Sequence, residues 1–302
     1  MKTTAVACVV ACVAALAACG GAQSEGPATP LRPLTADEQL LALVPDGAQV
    51  VIELDLARMR DNAAVGEVAR KLLGTGADTR VPGLPFVVQG SPLANARALV
   101  LAAYGVGTPQ AASVTLLATK DDVPGGERVT PEIVAIGPPE WLAGVRARAS
   151  TSAIRPDAAL LLLRAHATPE HATGAVLHIT ARLSFDARVA LARQTGLDMA
   201  PSRLSAWADV ADDFALVVDS DAMEDGGKLT ADNTKRITTT IRTALGLVAA
   251  LPGVRGAGLS TSFDEPKVVS RGSWVRVIVA VGPTHLGRAV ERIRAMLAQP
   301  QP

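Results

Sequence analysis

The chain has 302 residues, of which 49% are hydrophobic but only 3% aromatic, and its 29 Lys and Arg balance 29 Asp and Glu. It is long enough for one large or two ordinary cores, which must be assembled from Ala, Val, Leu and Ile. With no basic excess to release phosphate counterions, nucleic acid is not an expected partner.

The first element is an address. Lys2 supplies a cationic start, Ala5 to Leu16 form an apolar run, and the small pair Ala17-Ala18 precedes Cys19. The run is shorter than the ~20 residues a membrane-spanning helix needs, which predicts a removable signal peptide over residues 1–18. Leu16-Ala17-Ala18-Cys19 resembles the lipobox of bacterial lipoproteins. The resemblance implies signal-peptidase recognition through Leu16, Ala17 and Ala18 and a diacylglyceryl thioether on Cys19. Cys8 and Cys12 lie inside the segment expected to be removed, so the mature chain keeps no thiol for disulfides, metal ligation or nucleophilic attack. Removing 18 of 302 residues leaves 284.

Gly20 to Pro30 is polar and rich in Gly and Pro, which predicts a flexible tether over residues 19–34. In related Gram-negative lipoproteins the residue after the lipidated cysteine acts as a sorting signal. Gly20, which is not acidic, implies the outer membrane.

Order is expected from Thr35, where Thr35-Ala36-Asp37-Glu38 fits a capping box ahead of a short helix carrying Leu40, Leu41 and Val44. Asp46-Gly47 turns into a strand over residues 48–54, with Val50 and Ile52 alternating with Gln49 and Glu53. Met59, Val65, Val68 and Leu72 give helical spacing up to Gly74. Residues 74–97 read as irregular, with a short apolar element at 86–88. Strands follow at 98–104 and 113–119, then a polar loop at 120–130, a strand at 133–136 and a helix bearing Leu142 and Val145.

The second half repeats this plan. Gly174 to Ile179, followed by Leu183, matches Gly47 to Ile52, followed by Leu56; Ile278 to Pro283 matches Ile133 to Pro138. Glycine permits the sharp turn off each strand, and proline suits the first helical turn. Between these anchors a helix is expected from Ser184, strands at 204–210 and 214–219, a long helix at 231–251 and strands at 258–263 and 274–281. A closing helix carries Leu286, Val290, Ile293 and Leu297. The expected architecture is α+β: two related units, residues 35–150 and 151–302, each a mainly antiparallel sheet with helices on one face. The body also resembles Ala-rich predicted lipoproteins of unknown function from high-GC Gram-negative bacteria, through Pro-Asp-Gly-Ala and Glu-Leu-Asp-Leu within residues 45–56. That likeness implies no activity.

The motifs that carry chemistry are weak. His166 and His171 are five apart with Pro169 between them, which reads as a polar loop rather than a metal pair. His178 alternates with Leu177 and Ile179 and is expected to face solvent, and His285 to lie on the surface. Asp219 to Gly227 lacks the glycine a calcium loop needs at its sixth position and reads as a solvated loop. Gly105-Val106-Gly107 lacks the third glycine of a dinucleotide loop. Trp141, Trp207 and Trp274 are expected in packing roles, and the arginines at 146/148 and 288/292/294 on solvated faces, with a phosphate or anionic-lipid patch as the minor alternative.

No catalytic residue, cofactor site or metal site is therefore expected. The expected function is a lipid-anchored, non-catalytic binding or structural module of the cell envelope, meeting the membrane through Cys19 and possessing an envelope protein partner. A carrier or sensor for an apolar ligand is the alternative, and a hydrolase with an unrecognised site a third reading.

Overall fold

The computed structural model describes residues 36–74, 92–151, 154–195, 200–221, 231–271 and 273–298. Leu16, Ala17, Ala18, Cys19, Thr35 and the apolar element expected at 86–88 lie outside the described residues.

The first half runs α1 (Ala36–Leu43), β1 (Val50–Asp55), α2 (Leu56–Asp61), α3 (Gly66–Gly74), α4 (Pro92–Asn95), β2 (Ala98–Tyr104), β3 (Ala112–Ala118), β4 (Glu127–Thr130), β5 (Ile133–Ile136) and α5 (Pro139–Ala149). The second runs α6 (Ala158–Ala167), β6 (Leu177–Arg182), α7 (Phe185–Thr195), β7 (Arg203–Val210), β8 (Phe214–Asp221) and α8 (Ala231–Ala249). It ends with α9 (Pro252–Ala257), α10 (Ser260–Asp264), β9 (Lys267–Arg271), β10 (Trp274–Val281) and α11 (Pro283–Ala298). Among the described residues no helix is long and apolar enough to cross a membrane.

The class is α+β and the sheet is antiparallel throughout. The strands of both halves form one ten-stranded sheet, ordered β4-β5-β3-β2-β1-β6-β7-β8-β10-β9. β1 and β6 join the halves at its centre, with Ile52 opposite Ile179 at the middle of their register. Outward from this pair each half follows the same path: first, second, third, fifth and fourth strand.

Strand alternation gives the sheet two apolar faces, and helices cover both rather than one. On the first face Val51, Val100, Ala102, Leu116 and Ala135 pack with Leu40 and Leu41 of α1, Leu142 and Val145 of α5 and Leu160 of α6. On the second face Ala206, Val218, Val275 and Val277 pack with Ala187 and Leu191 of α7 and Ile237, Ile241 and Leu245 of α8. Leu56 and Leu93 cover Leu99, Leu101 and Leu117 on that same face. Each such Leu, Ile or Val contributes about 1.5–3 kcal/mol by leaving water.

Three local expectations are corrected. The helix expected across residues 59–72 is two helices, because Asn62 ends α2 and its Oδ1 accepts from Ala64 and Val65 N–H at 2.8 and 2.9 Å. The strand expected at 258–263 is α10, which follows a turn at Gly258 with φ +73° and buries Phe263 in the core against which α8 packs. The polar loop at 120–130 ends in strand β4.

Candidate functional site

On the first face, the centre of the sheet carries a polar seam beneath α6. Register places Glu53 of β1 opposite His178 of β6, His178 opposite Trp207 of β7, and Ser205 opposite Asp219 of β8, which pairs with Arg276 of β10. Alternation therefore aims all six side chains to the same side of the sheet. Glu53, His178, Ser205 and Asp219 are buried.

α6 supplies the matching groups. Asp157 caps its start by accepting from Ala159 N–H at 2.8 Å, and the helix then carries Arg164 over β1, where Nε donates to both Glu53 oxygens at 3.0 Å. At its C-terminal end, Ser205 Oγ donates to the Arg164 carbonyl at 3.1 Å and accepts from Ala167 N–H at 3.3 Å. Arg276 donates from Nε to Asp219 at 2.7 Å, and its Nη2 binds the same carboxylate and the His166 carbonyl at 2.6 Å. The His166 ring stacks on Trp274 with centroids 3.9 Å apart.

The electrostatics follow from burial. Desolvation pushes the Glu53 carboxyl up to about 7, against the lowering pull of Arg164, while Asp37 and Glu38 push it further up. Desolvation and the Arg164 charge push His178 down to about 3, so its ring is neutral at physiological pH. Its Nδ1 and the Thr180 hydroxyl have no hydrogen-bond partner among the described residues. Desolvation also lowers the His166 pKa, against the raising effect of Asp219. Both arginine–carboxylate pairs and the Ser205 hydroxyl are spent on fixing α6 to the sheet.

The sequence-predicted residues are placed as follows. His166 lies in the last turn of α6 and His171 in the loop beyond it, while His178 is buried rather than solvent-facing, because β6 is a central strand with α6 above it. His285 is partly buried, its Nε2 2.9 Å from the Gly258 carbonyl. Asp219, Ser220 and Asp221 are not a solvated loop: they are the buried end of β8, held against β10, and residues 222–230 lie outside the described residues. Gly105 and Gly107 form a turn with φ +56° and +80°. Trp207 and Trp274 are buried, the former donating to the Gly174 carbonyl at 3.1 Å, and Trp141 stacks on Tyr104 at 3.8 Å.

The arginines expected on solvated faces divide. Arg148 ties α5 to the Ala42 carbonyl and to Asp46, and Arg146 pairs with Glu127 of β4. Arg294 bridges to Glu67 of α3 at 2.9 Å, whereas Arg288 and Arg292 are exposed. Glu53, Arg164 and Arg276 were not legible as a group. The available signals were Asp157 as a cap before Ala158 and charged residues inside otherwise apolar strands.

A cleft of about 240 Å³ opens at the sheet edge between α1 and β5, lined by Gln39, Leu40, Arg97, Ala118, Glu132 and Ile133 among others. Arg97 and Glu132 pair within it at 2.6 Å. Among the described residues no group of three or more His, Cys, Asp or Glu is placed to hold a metal ion.

No protein-family model matches this chain. No curated protein sequence matches it either. The chain is similar to the structure of TP0453 in its crystal form I, with a TM-score of 0.42 and 9% sequence identity over 85% of this chain and 98% of that one.

Proposed function

We propose that this chain is a lipid-anchored protein of the bacterial cell envelope, held at the outer membrane through Cys19, with a non-catalytic binding or structural role. The observation that carries the reading is Leu16-Ala17-Ala18-Cys19 at the end of a short apolar run with a cationic start. The folded body is consistent with it: its buried arginine–carboxylate pairs are engaged in holding α6 to the sheet. Two or three acyl chains at ~0.8 kcal/mol per buried CH₂ hold a protein on a membrane stably, where one does not.

We infer further that residues 35–150 and 151–302 are related units of one duplicated body. Two features support this: the shared strand path, and the fact that the sequence match equates Ile52 with Ile179, the pair at the centre of the β1–β6 register.

The test is membrane fractionation of Cys19→Ala beside mass spectrometry of the mature N-terminus. The variant is expected to leave the membrane fraction while its body still unfolds cooperatively. Retention in the membrane, or an unmodified mature N-terminus, refutes the reading.

A further inference from the structure

The balanced charge of the whole chain conceals a strong asymmetry. Residues 231–298 contain ten Lys and Arg against four Asp and Glu, a net charge of +6 that the remainder of the chain offsets. Charge segregation of this size points to an anionic surface as partner.

Six of these ten cations are exposed on α8, α9 and α11. The apolar stripe Ile237, Ile241 and Leu245 of α8 is buried against the second face of the sheet, so Lys235, Arg236 and Arg242 on its other sides are exposed. α9 packs on both α8 and α11, and Arg255 of α9 and Arg288 and Arg292 of α11 are exposed as well. None of these six cations makes an ion pair among the described residues. By contrast, Arg276 of the same region and Arg58, Arg97, Arg146, Arg164 and Arg182 outside it each hold a carboxylate within 3.0 Å. Of the acids in the same region, Glu291 is bound to Arg294, leaving Asp232, Asp264 and Glu265 to oppose the six. Two large apolar side chains stand exposed on the same helices, Leu247 on α8 and Met296 on α11.

We propose that the outer surface of α8, α9 and α11 is a docking face for anionic phospholipid headgroups of the bilayer that carries the lipid anchor. Basic side chains interspersed with exposed Leu and Met suit an interface with charged headgroups above and acyl chains below. The seventeen residue-to-residue steps from Cys19 to Ala36 reach at most about 60 Å, more than the ~45 Å breadth of a folded body of this size, so any face can meet the membrane. The proposal takes its choice of anion from the envelope reading; the face itself does not depend on lipidation.

The test uses the full chain carrying Cys19→Ala, so that no acyl chain contributes, with sedimentation on vesicles of equal phosphatidylcholine and phosphatidylglycerol against phosphatidylcholine alone. Binding is expected to favour the anionic vesicles and to fall as salt is raised. Each cation removed is expected to weaken the anionic increment about fivefold, and Arg242→Gln/Arg255→Gln/Arg288→Gln together about a hundredfold. A control, Lys71→Gln/Arg97→Gln/Lys120→Gln, removes equal charge elsewhere and is expected to keep most of the increment.

An increment absent from the parent chain, or equal in the two triple variants, overturns the proposal. So does displacement of the vesicles by duplex DNA of equal charge. Because Cys19 is absent throughout, failure here leaves the anchoring reading standing, and an unmodified native N-terminus leaves this one standing.

Discussion

Glu53 and His178 face each other across the central strand pair with pKa values pushed in opposite directions, and this makes their pH dependence separable. Glu53 moves from 4.5 to about 7. The folded state therefore binds its proton more tightly than the unfolded chain, and stability falls as pH rises from 4.5 to 7. The slope is about 1.4 kcal/mol per pH unit, or about 3 kcal/mol across the window. His178 moves from 6.5 to about 3. Here the unfolded chain binds the proton, so stability falls as pH drops from 6.5 to 3, with the same slope. Between 4.5 and 6.5 the two contributions cancel.

Neutral substitutions unmask each contribution. Relative to the parent, Glu53→Gln is expected to lose about 3 kcal/mol as pH falls from 7 to 4.5, and His178→Gln to gain stability as pH falls below 6.5. The double variant restores the level course. Urea unfolding followed by fluorescence of the buried Trp207 and Trp274 gives the free energies across the pH series. A Glu53→Gln curve parallel to the parent from pH 4.5 to 7 refutes the assignment of a buried, proton-binding carboxyl.

Three further outcomes follow from packing and pairing. Leu40 is fully buried between α1 and the first face, so Leu40→Ala is expected to cost about 2–5 kcal/mol in urea unfolding, and a cost below about 1 kcal/mol contradicts the packing. At Gly107 a Cβ would stand 2.7 Å from the Ala190 Cβ, in a residue with φ +80°, so Gly107→Ala is expected to lower the thermal midpoint through a loss of about 1–3 kcal/mol. Arg58 grips Asp209 through two hydrogen bonds of 2.8 and 2.6 Å between α2 and β7. A double-mutant cycle on this partly exposed pair is expected to return a coupling of about 1 kcal/mol, and zero coupling would show the pair to be ornamental.

Much of the strand framework was legible because alternation is a local property: β1, β2, β3, β5, β7 and β10 lie within a residue or two of where their apolar patterns place them. α6 was hidden because Ala158 to Leu163 is an unbroken apolar run with no helical period, and Leu162 is in fact 62% exposed. His178 departs from its pattern for a different reason. A polar residue between Leu177 and Ile179 signals a solvent face only if nothing covers that face, and α6 does.

The sequence alone determined the α+β class, the place of most strands and the likeness of the stretches around Ile52 and Ile179, because side-chain period and turn chemistry act over a few residues. Only the tertiary structure decided that the halves share one sheet, since strand pairing at β1–β6 joins residues more than a hundred positions apart. It also decided which face each helix takes. Gly137-Pro138 and Gly282-Pro283 launch α5 and α11 from equivalent strands, yet α5 packs on the first face and α11 on the second, beside α3 and α9. A glycine and a proline fix the start of a helix, whereas the direction it then takes depends on which apolar surface remains uncovered.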